Sequence, residues 1–279
     1  PLLSVVQMLL SICLDTIRRD SLAGTFLKQF IIAYSYIILL KNHVTASLNP
    51  MKLSDRTIRI LTNMSKINRS IQFKEGNEIS SLSIQKNVLA KTPIEESFPQ
   101  DFAIYDLDEF LKVMSLTDNQ GDLIFDNEAY VTVKTDRTQA KYFFADPSIV
   151  QQPPAEFPQL PSIDCEFDLD TSDLNRIRNA LSIYGHLEDI AVIGKNGRVS
   201  IEIRDRENPS SNTYSIGVGT TDATFSFNLK AENIYKLEYS NAITGYNVRI
   251  SKSGASQWVS SDGVVYLIAL EPDSTYEEN

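Results

Sequence analysis

The sequence predicts an α+β protein made of two similar halves, each built from two strand–helix–three-strand units. Three observations carry this. A set of apolar positions recurs four times, short alternating runs follow each recurrence, and a proline-rich strap separates the second copy from the third. The strap, ADPSIVQQPPAEFPQLPS at 145–162, holds five prolines and no glycine. Proline fixes φ and removes a backbone donor, and it pushes the preceding residue out of the helical region. Such a segment serves as a semi-rigid connector between folded parts.

The four recurrences begin MKLSDRTIRIL at Met51, AIYDLDEFLKV at Ala103, FDLDTSDLNRI at Phe167 and FNLKAENIYKL at Phe227. Each has apolar residues at offsets 0, 2, 7 and 10: Met51/Leu53/Ile58/Leu61, Ala103/Tyr105/Phe110/Val113, Phe167/Leu169/Leu174/Ile177 and Phe227/Leu229/Ile234/Leu237. The first two positions have strand period and the last two have helix spacing, so each unit is a strand running into a helix. Ser54, Asp106 and Asp170 at the junctions are good N-caps, and Lys230 is not. Runs such as EISSLSIQ, AYVTVKT, AKYFFA, IAVIGK, VSIEIRD, TYSIGVG, GYNVRISK and GVVYLIAL supply the strands that follow. Asn196-Gly197 and Asp262-Gly263 are hairpin turns between such runs. Starts spaced by 52, 64 and 60 residues point to internal duplication.

Composition narrows the function. Cys13 and Cys165 are the only cysteines and His43 and His186 the only histidines. That excludes a disulfide framework and a thiolate metal cluster, and argues against zinc or Ser/His/Asp catalysis. The acid-rich runs DLDE (106–109) and DCEFDLD (164–170) read as strand ends and helix N-termini, where acids suit the helix dipole. There is no Walker loop, no GxGxxG and no nucleophile with a base, so no catalytic residue, metal or cofactor is expected. The chain is expected not to be an enzyme.

Residues 1–50 differ from the rest. Phe26–Leu40 is apolar except for Lys28, Gln29 and Ser35. This run is short for a membrane span, and a signal or anchor stays open beside the reading preferred here, a non-native upstream extension before a true start at Met51. The net charge is −10 over the chain and −12 from residue 51 on. An acidic protein does not coat nucleic acid unless its bases are gathered on one face.

From Met51 the chain resembles the DNA sliding clamps, the polymerase processivity factors, and within them the trimeric clamps of T-even-type tailed phages. The residues that carry this are MKLSDRTI at 51–58, FAIYDLDEFLKVMSL at 102–116, ADPSIV at 145–150 and ALEPDST at 269–275. The resemblance implies the DNA clamp fold, with antiparallel sheets outside and helices lining a ring. It implies an N-terminal domain over 51–144, a connecting loop over 145–162 and a C-terminal domain over 163–279. It also implies a homotrimer around double-stranded DNA that tethers the replicative DNA polymerase. An ATP-dependent clamp loader and late-transcription factors would be further partners, in the cytoplasm of an infected bacterium, with no membrane role.

The charge pattern agrees with that reading. On the first helix Ile60, Leu61, Met64 and Ile67 form the core face, while Lys52, Arg56, Arg59, Lys66 and Arg69 project opposite with only Asp55 against them. On the second, Asp108 and Glu109 share the outer face with Lys112 and weaken its contribution. The third turns Leu174, Ile177, Leu181 and Tyr184 inward and Asn175, Arg178, Asn179 and Ser182 outward, with Arg176 on the flank. The fourth exposes Asn233 and Lys236. The DNA-facing set is therefore Lys52, Arg56, Arg59, Lys66, Arg69, Lys112, Asn175, Arg176, Arg178 and Lys236. As exposed helix positions, Arg59, Lys66 and Arg69 should together tolerate change to Glu with folding nearly intact. A solvated helix face would carry similar charges, and that reading stays open here.

The resemblance places a partner-peptide pocket between the connecting loop and the C-terminal domain, lined by Ile149, Val150, Phe157, Leu270 and Pro272. The same residues would also serve simply to pin the loop. Subunits are expected to pair through QAKYFF (139–144) and TYSIGV (213–218), and the acidic tail EPDSTYEEN is expected to be mobile. The alternative class is a phage tail or baseplate protein of duplicated α+β domains without DNA binding.

Overall fold

The computed structural model describes residues 50–208 and 210–277, and the expected extension before Met51, apart from Pro50, lies outside them. In the first unit the leading strand is reduced to one residue, Met51, bridged to Leu123. Helix α1 (Asp55–Ile67) follows, capped by the Ser54 side chain, which accepts from the Thr57 amide. Its core face is the expected one: Ile60, Leu61, Met64 and Ile67 are all buried. Strands β1 (Ile71–Phe73), β2 (Gly76–Leu82) and β3 (Val88–Phe98) complete the unit.

The second unit runs β4 (Phe102–Ile104), α2 (Leu107–Ser115), β5 (Asp122–Ile124), β6 (Tyr130–Lys134) and β7 (Gln139–Phe143). After the strap, with a 3-10 turn at Pro147–Ile149, come β8 (Cys165–Asp170), α3 (Thr171–Ile183), β9 (Asp189–Lys195), β10 (Arg198–Arg204) and β11 (Tyr214–Gly219). The fourth unit is β12 (Thr224–Lys230), α4 (Ala231–Tyr235), β13 (Gly245–Ser251), β14 (Ala255–Ser260) and β15 (Val265–Ala269), and β16 (Thr275–Glu277) ends the described chain. Asp106 and Asp170 cap α2 and α3. Lys230 makes no side-chain cap, and α4 stops after five residues. The strand–helix–three-strand plan is thus realised in full three times, and in the first unit with a single bridged residue in place of the leading strand.

The strands form antiparallel sheets. A six-stranded sheet in the order β2-β3-β15-β14-β13-β8 crosses from one half to the other, joined where β3 pairs with β15 from Lys91↔Val265 to Val88↔Ile268. A five-stranded sheet, β11-β10-β9-β12-β16, belongs to the second half, and β5-β6-β7 and β1-β4 belong to the first.

Strand β3 is the element the sequence hid, because Pro93 lies inside it. Proline is tolerated in a sheet only where its nitrogen needs no ladder partner. The Pro93 carbonyl accepts from Arg56, at 3.0 Å, beyond the last β15 partner of β3 at Lys91. The proline nitrogen points to that same side of the strand, where the ladder has already ended. Asn196 and Gly197, both at positive φ, make the expected tight turn between β9 and β10.

Gly194 in β9 is required by packing: a Cβ there would collide with the ring of Phe225, its cross-strand partner on β12.

The tail is not mobile as far as residue 277. Thr275–Glu277 pair with Thr224–Ser226, and the Tyr276 ring lies 6.1 Å from that of Phe225 and 6.0 Å from that of Phe227. An aromatic residue among acids docks because its ring area outweighs the cost of ordering a short strand. Asn233, expected on the surface, is instead buried with Ala231 and Ile234, its Oδ1 accepting from Lys236, because the side of α4 turned outward carries Glu232 and Tyr235.

Candidate nucleic-acid interface

The helices lie in two pairs, and α1 of the first pair is bonded to the residues that follow α4 of the second. The α1 and α2 helices pack on each other, as do α3 and α4. The junction between the pairs is polar. Asn63 of α1 donates to the Lys236 carbonyl just after α4 at 2.9 Å, and the Tyr266 hydroxyl donates to Asn63 Oδ1 at 2.7 Å. Arg59 extends from the same helix and reaches Asp262 Oδ2 at 2.7 Å and the Glu238 carboxylate. Glu238 is buried, and among the described residues its Oε2 has no hydrogen-bond partner. Burial opposes ionisation of Asp262, but bonds from Ser260 and Arg59 outweigh it and hold its pKa below the usual carboxylate range.

This changes the reading of the α1 stripe. Asp55 is far from being its only acidic neighbour. Arg56 donates to the Asp262 and Pro93 carbonyls, each at 3.0 Å. Arg69 pairs with Asp106 at 2.6 Å, and the Glu109 amide and Arg69 together keep the Asp106 pKa low. Arg59 is not an exposed position, so charge reversal there would not leave folding untouched. The physical reason is that a guanidinium with several donors is drawn to fixed acceptors at a seam, where a lysine stays solvated. Lys52, Lys66 and Lys112 are exposed and make no ion pair among the described residues.

On α3, Arg176 is exposed and pairs with Asp173 at 2.9 Å. Arg178 sits between the rings of Tyr235 and Tyr239, 5.2 Å from each centroid. Asn175 is half-buried beside it. Lys236 is half-buried against Asn233, at 3.1 Å, and Glu232. The ten residues therefore lie on or beside the helices, with Lys52, Lys66 and Lys112 making no ion pair among the described residues and Lys236 and most arginines engaged. The tyrosines around Arg178 were missed; Tyr235 and Tyr239, four residues apart across the end of α4, were the signal.

The five expected pocket residues are less unified. Val150 and Leu270 are buried, Phe157 is half-buried, and Ile149 and Pro272 are exposed. The Phe157 ring lies 5.9 Å from Lys91 Nζ on β3, and Gln152 bonds the Gln72 side chain on β1, so the strap is tied to the first half. The Leu270 amide instead donates to Gly254 of the second half. A cleft of about 570 Å³ between the end of α3 and the start of α4, lined by Leu187, Lys230 and Tyr235 among others, contains none of the five.

Both strands expected at subunit contacts are sheet edges: β7 closes the three-stranded sheet and β11 the five-stranded one.

Comparison with known proteins fits this architecture. Residues 52–150 match the family described as DNA polymerase processivity factor. The sliding clamp of Vibrio phage KVP40 is 32% identical over 227 residues, covering 79% of this chain and 99% of the relative. The sliding clamp of Enterobacteria phage T4 is 29% identical over 237 residues, covering 81% of this chain and 100% of the relative. Among solved structures, A. fulgidus PCNA bound to the C-terminal region of FEN-1 superposes with a TM-score of 0.58 at 14% identity, over 80% of this chain and 98% of that one. The Helicobacter pylori beta clamp bound to a DNA ligase peptide gives 0.60 at 13% identity, over 80% of this chain and 65% of that one. The chain belongs to the sliding clamp family of phage DNA polymerase processivity factors.

Proposed function

We propose that three copies close edge to edge into a ring whose inner face is a layer of the helices, with duplex DNA passing through it. In this reading residues 51–144 and 163–279 are the two domains and 145–162 is the connecting loop. The supporting observation is the charge on and beside the helices: in an acidic chain they present Lys52, Lys66 and Lys112 with no acidic partner among the described residues. Lysines on a solvated face contact phosphates weakly and without reading bases, as a sliding contact needs.

The replicative polymerase docks by a short peptide at the strap, and late-transcription factors use the same surface. Two solved structures of this fold hold partner segments, the C-terminal region of FEN-1 on A. fulgidus PCNA and a DNA ligase peptide on the Helicobacter pylori beta clamp. The protein does no chemistry of its own. An ATP-dependent loader opens the ring, and the work takes place in the cytoplasm of the infected bacterium. No helix among the described residues is long and apolar enough to cross a membrane.

The test is retention on DNA. Loaded protein should stay on a closed circle and leave when the circle is cut. The combined change of Lys52, Lys66 and Lys112 to Glu should leave stability within about 0.5 kcal/mol per site. It should shorten retention on every sequence and flatten its salt dependence. Equal retention on cut and closed DNA would overturn the ring, and unchanged retention of the triple variant would remove this layer from the DNA-facing surface.

A further inference from the structure

Phe143 is an unusual residue to find on a strand edge. It is 67% exposed, on the outermost strand of its sheet, and among the described residues its ring meets one other, that of Tyr130 at 5.3 Å. Its neighbour Tyr142 points the other way, toward the helices, where its ring meets Phe110 of α2 and its hydroxyl donates to the Asp106 carbonyl. Phe143 therefore stands on the face opposite the helices.

The other free edge has the complementary relief. On β11, Ile216 pairs with the buried Ile201 of β10 and packs on the core with Tyr214. Ser215 and Gly217 alternate with them and face the opposite way, exposed. A Cβ built on Gly217 meets nothing within 4 Å, and its backbone is not in the left-handed region. Among the described residues, no strain or crowding requires a glycine there.

We propose that Phe143 of one copy lies over Gly217 of the next, so that an aromatic ring and a bare strand position set the register of the joint between copies. This rests on the ring reading above, and it names the contact that reading leaves open. The argument is one of parity. If the helix layer continues from copy to copy on one side, even-numbered residues of β7 must share a face with even-numbered residues of β11. A shift by one residue would turn every side chain to the wrong face. Tyr142 then joins Tyr214 and Ile216 on the helix side, and Phe143 falls on the row of Ser215 and Gly217, in either strand direction.

The protein already uses this device within one copy. In the same five-stranded sheet, Phe225 covers Gly194 across the β9–β12 pairing, and no side chain fits under the ring. An aromatic ring over a cross-strand glycine shields an otherwise open backbone and fixes the pairing.

The experiment measures mass against concentration for the full chain and three variants. Gly217→Val should fold as the parent does, because the Cβ has free space, yet weaken association by roughly tenfold or more per joint. Phe143→Ala should weaken it similarly. The swap, Phe143→Ala with Gly217→Phe, should recover most of the loss, because the ring is returned from the opposite strand. Two single variants that assemble like the parent would overturn the proposal, and so would a swap whose loss is the sum of two single losses. A parent chain that stays monomeric at every concentration would sink the ring reading itself, and the joint with it, a result distinct from a failure confined to the variants.

Discussion

In the first half α1 and α2 run 13 and 9 residues, and the arginines of α1 and of the turn that follows it are tied to carboxylates. In the second half α3 also runs 13 residues but α4 only 5, and the central arginine is held between two tyrosine rings. Both halves follow one plan, so the difference lies in how each spends its positive charge. The long α1 carries Arg59 into the seam between halves, where Glu238 would otherwise be buried without a counterion. Beside the short α4, Tyr235 and Tyr239 flank Arg178 at 5.2 Å, and Arg178 makes no ion pair among the described residues. Positive charge around the helices of this protein is therefore of two kinds: guanidinium groups engaged with acids, carbonyls or rings, and the exposed ammonium groups of Lys52, Lys66 and Lys112, which make no ion pair among the described residues.

The sharpest way to break that comparison is to remove Arg59. Glu238 would then be a buried carboxylate facing no cation, and Asp262 would lose its shortest ionic contact. Arg59→Ala should cost about 3 kcal/mol of unfolding free energy, the order seen when one member of a buried pair is deleted. Arg69→Ala removes an exposed pair and should cost under about 1 kcal/mol. Denaturant titration of both variants decides the matter. Equal losses would mean that the seam contacts are no different from the surface ones.

A smaller effect is expected at Arg178. Two partly exposed cation–π contacts are worth about 1 kcal/mol together, with some packing of the aliphatic stem added. Arg178→Lys should keep part of this, and Arg178→Ala should lose it. If Arg178→Ala were instead as damaging as Arg59→Ala, the second half would depend on its arginine as heavily as the first.

The sequence showed some of this and concealed the rest, for physical reasons. Helix core faces follow from 3.6-residue spacing, and Ile60, Leu61, Met64 and Ile67 were readable for that cause. Ser54, Asp106 and Asp170 were readable because capping is a local bond. The partners of Arg59 lie 179 and 203 residues away, so no spacing rule connects them. The length of α4 was hidden too, because the fourth recurrence shows apolar offsets like the others while lacking a capping side chain. Phe143 was noticed only as part of an edge run; that it stands alone on its face needed the direction of Tyr142.

The smallest predicted effect concerns how α1 is anchored at its start. Glu96 of β3 accepts from the Thr57 hydroxyl at 2.6 Å and from the Ser54 amide, so a carboxylate from another element sits at the helix N-terminus. Burial alone would raise the Glu96 pKa, but those hydrogen bonds outweigh it and hold it below the ordinary glutamate range. A carboxylate with a depressed folded-state pKa contributes stability above its unfolded value, and that contribution disappears as pH falls through the folded one. Glu96→Gln should therefore be less stable than the parent by about 0.5–1 kcal/mol at neutral pH, discounted because the group is partly solvated. The gap should hold constant down to roughly pH 5 and close below the unfolded glutamate value of about 4.3. The second half offers the control, since α3 is capped by Asp170, which immediately precedes it, and among the described residues no carboxylate from another strand joins that cap. If the gap between Glu96→Gln and the parent persisted unchanged at pH 3, the charge on Glu96 would not be what fastens α1.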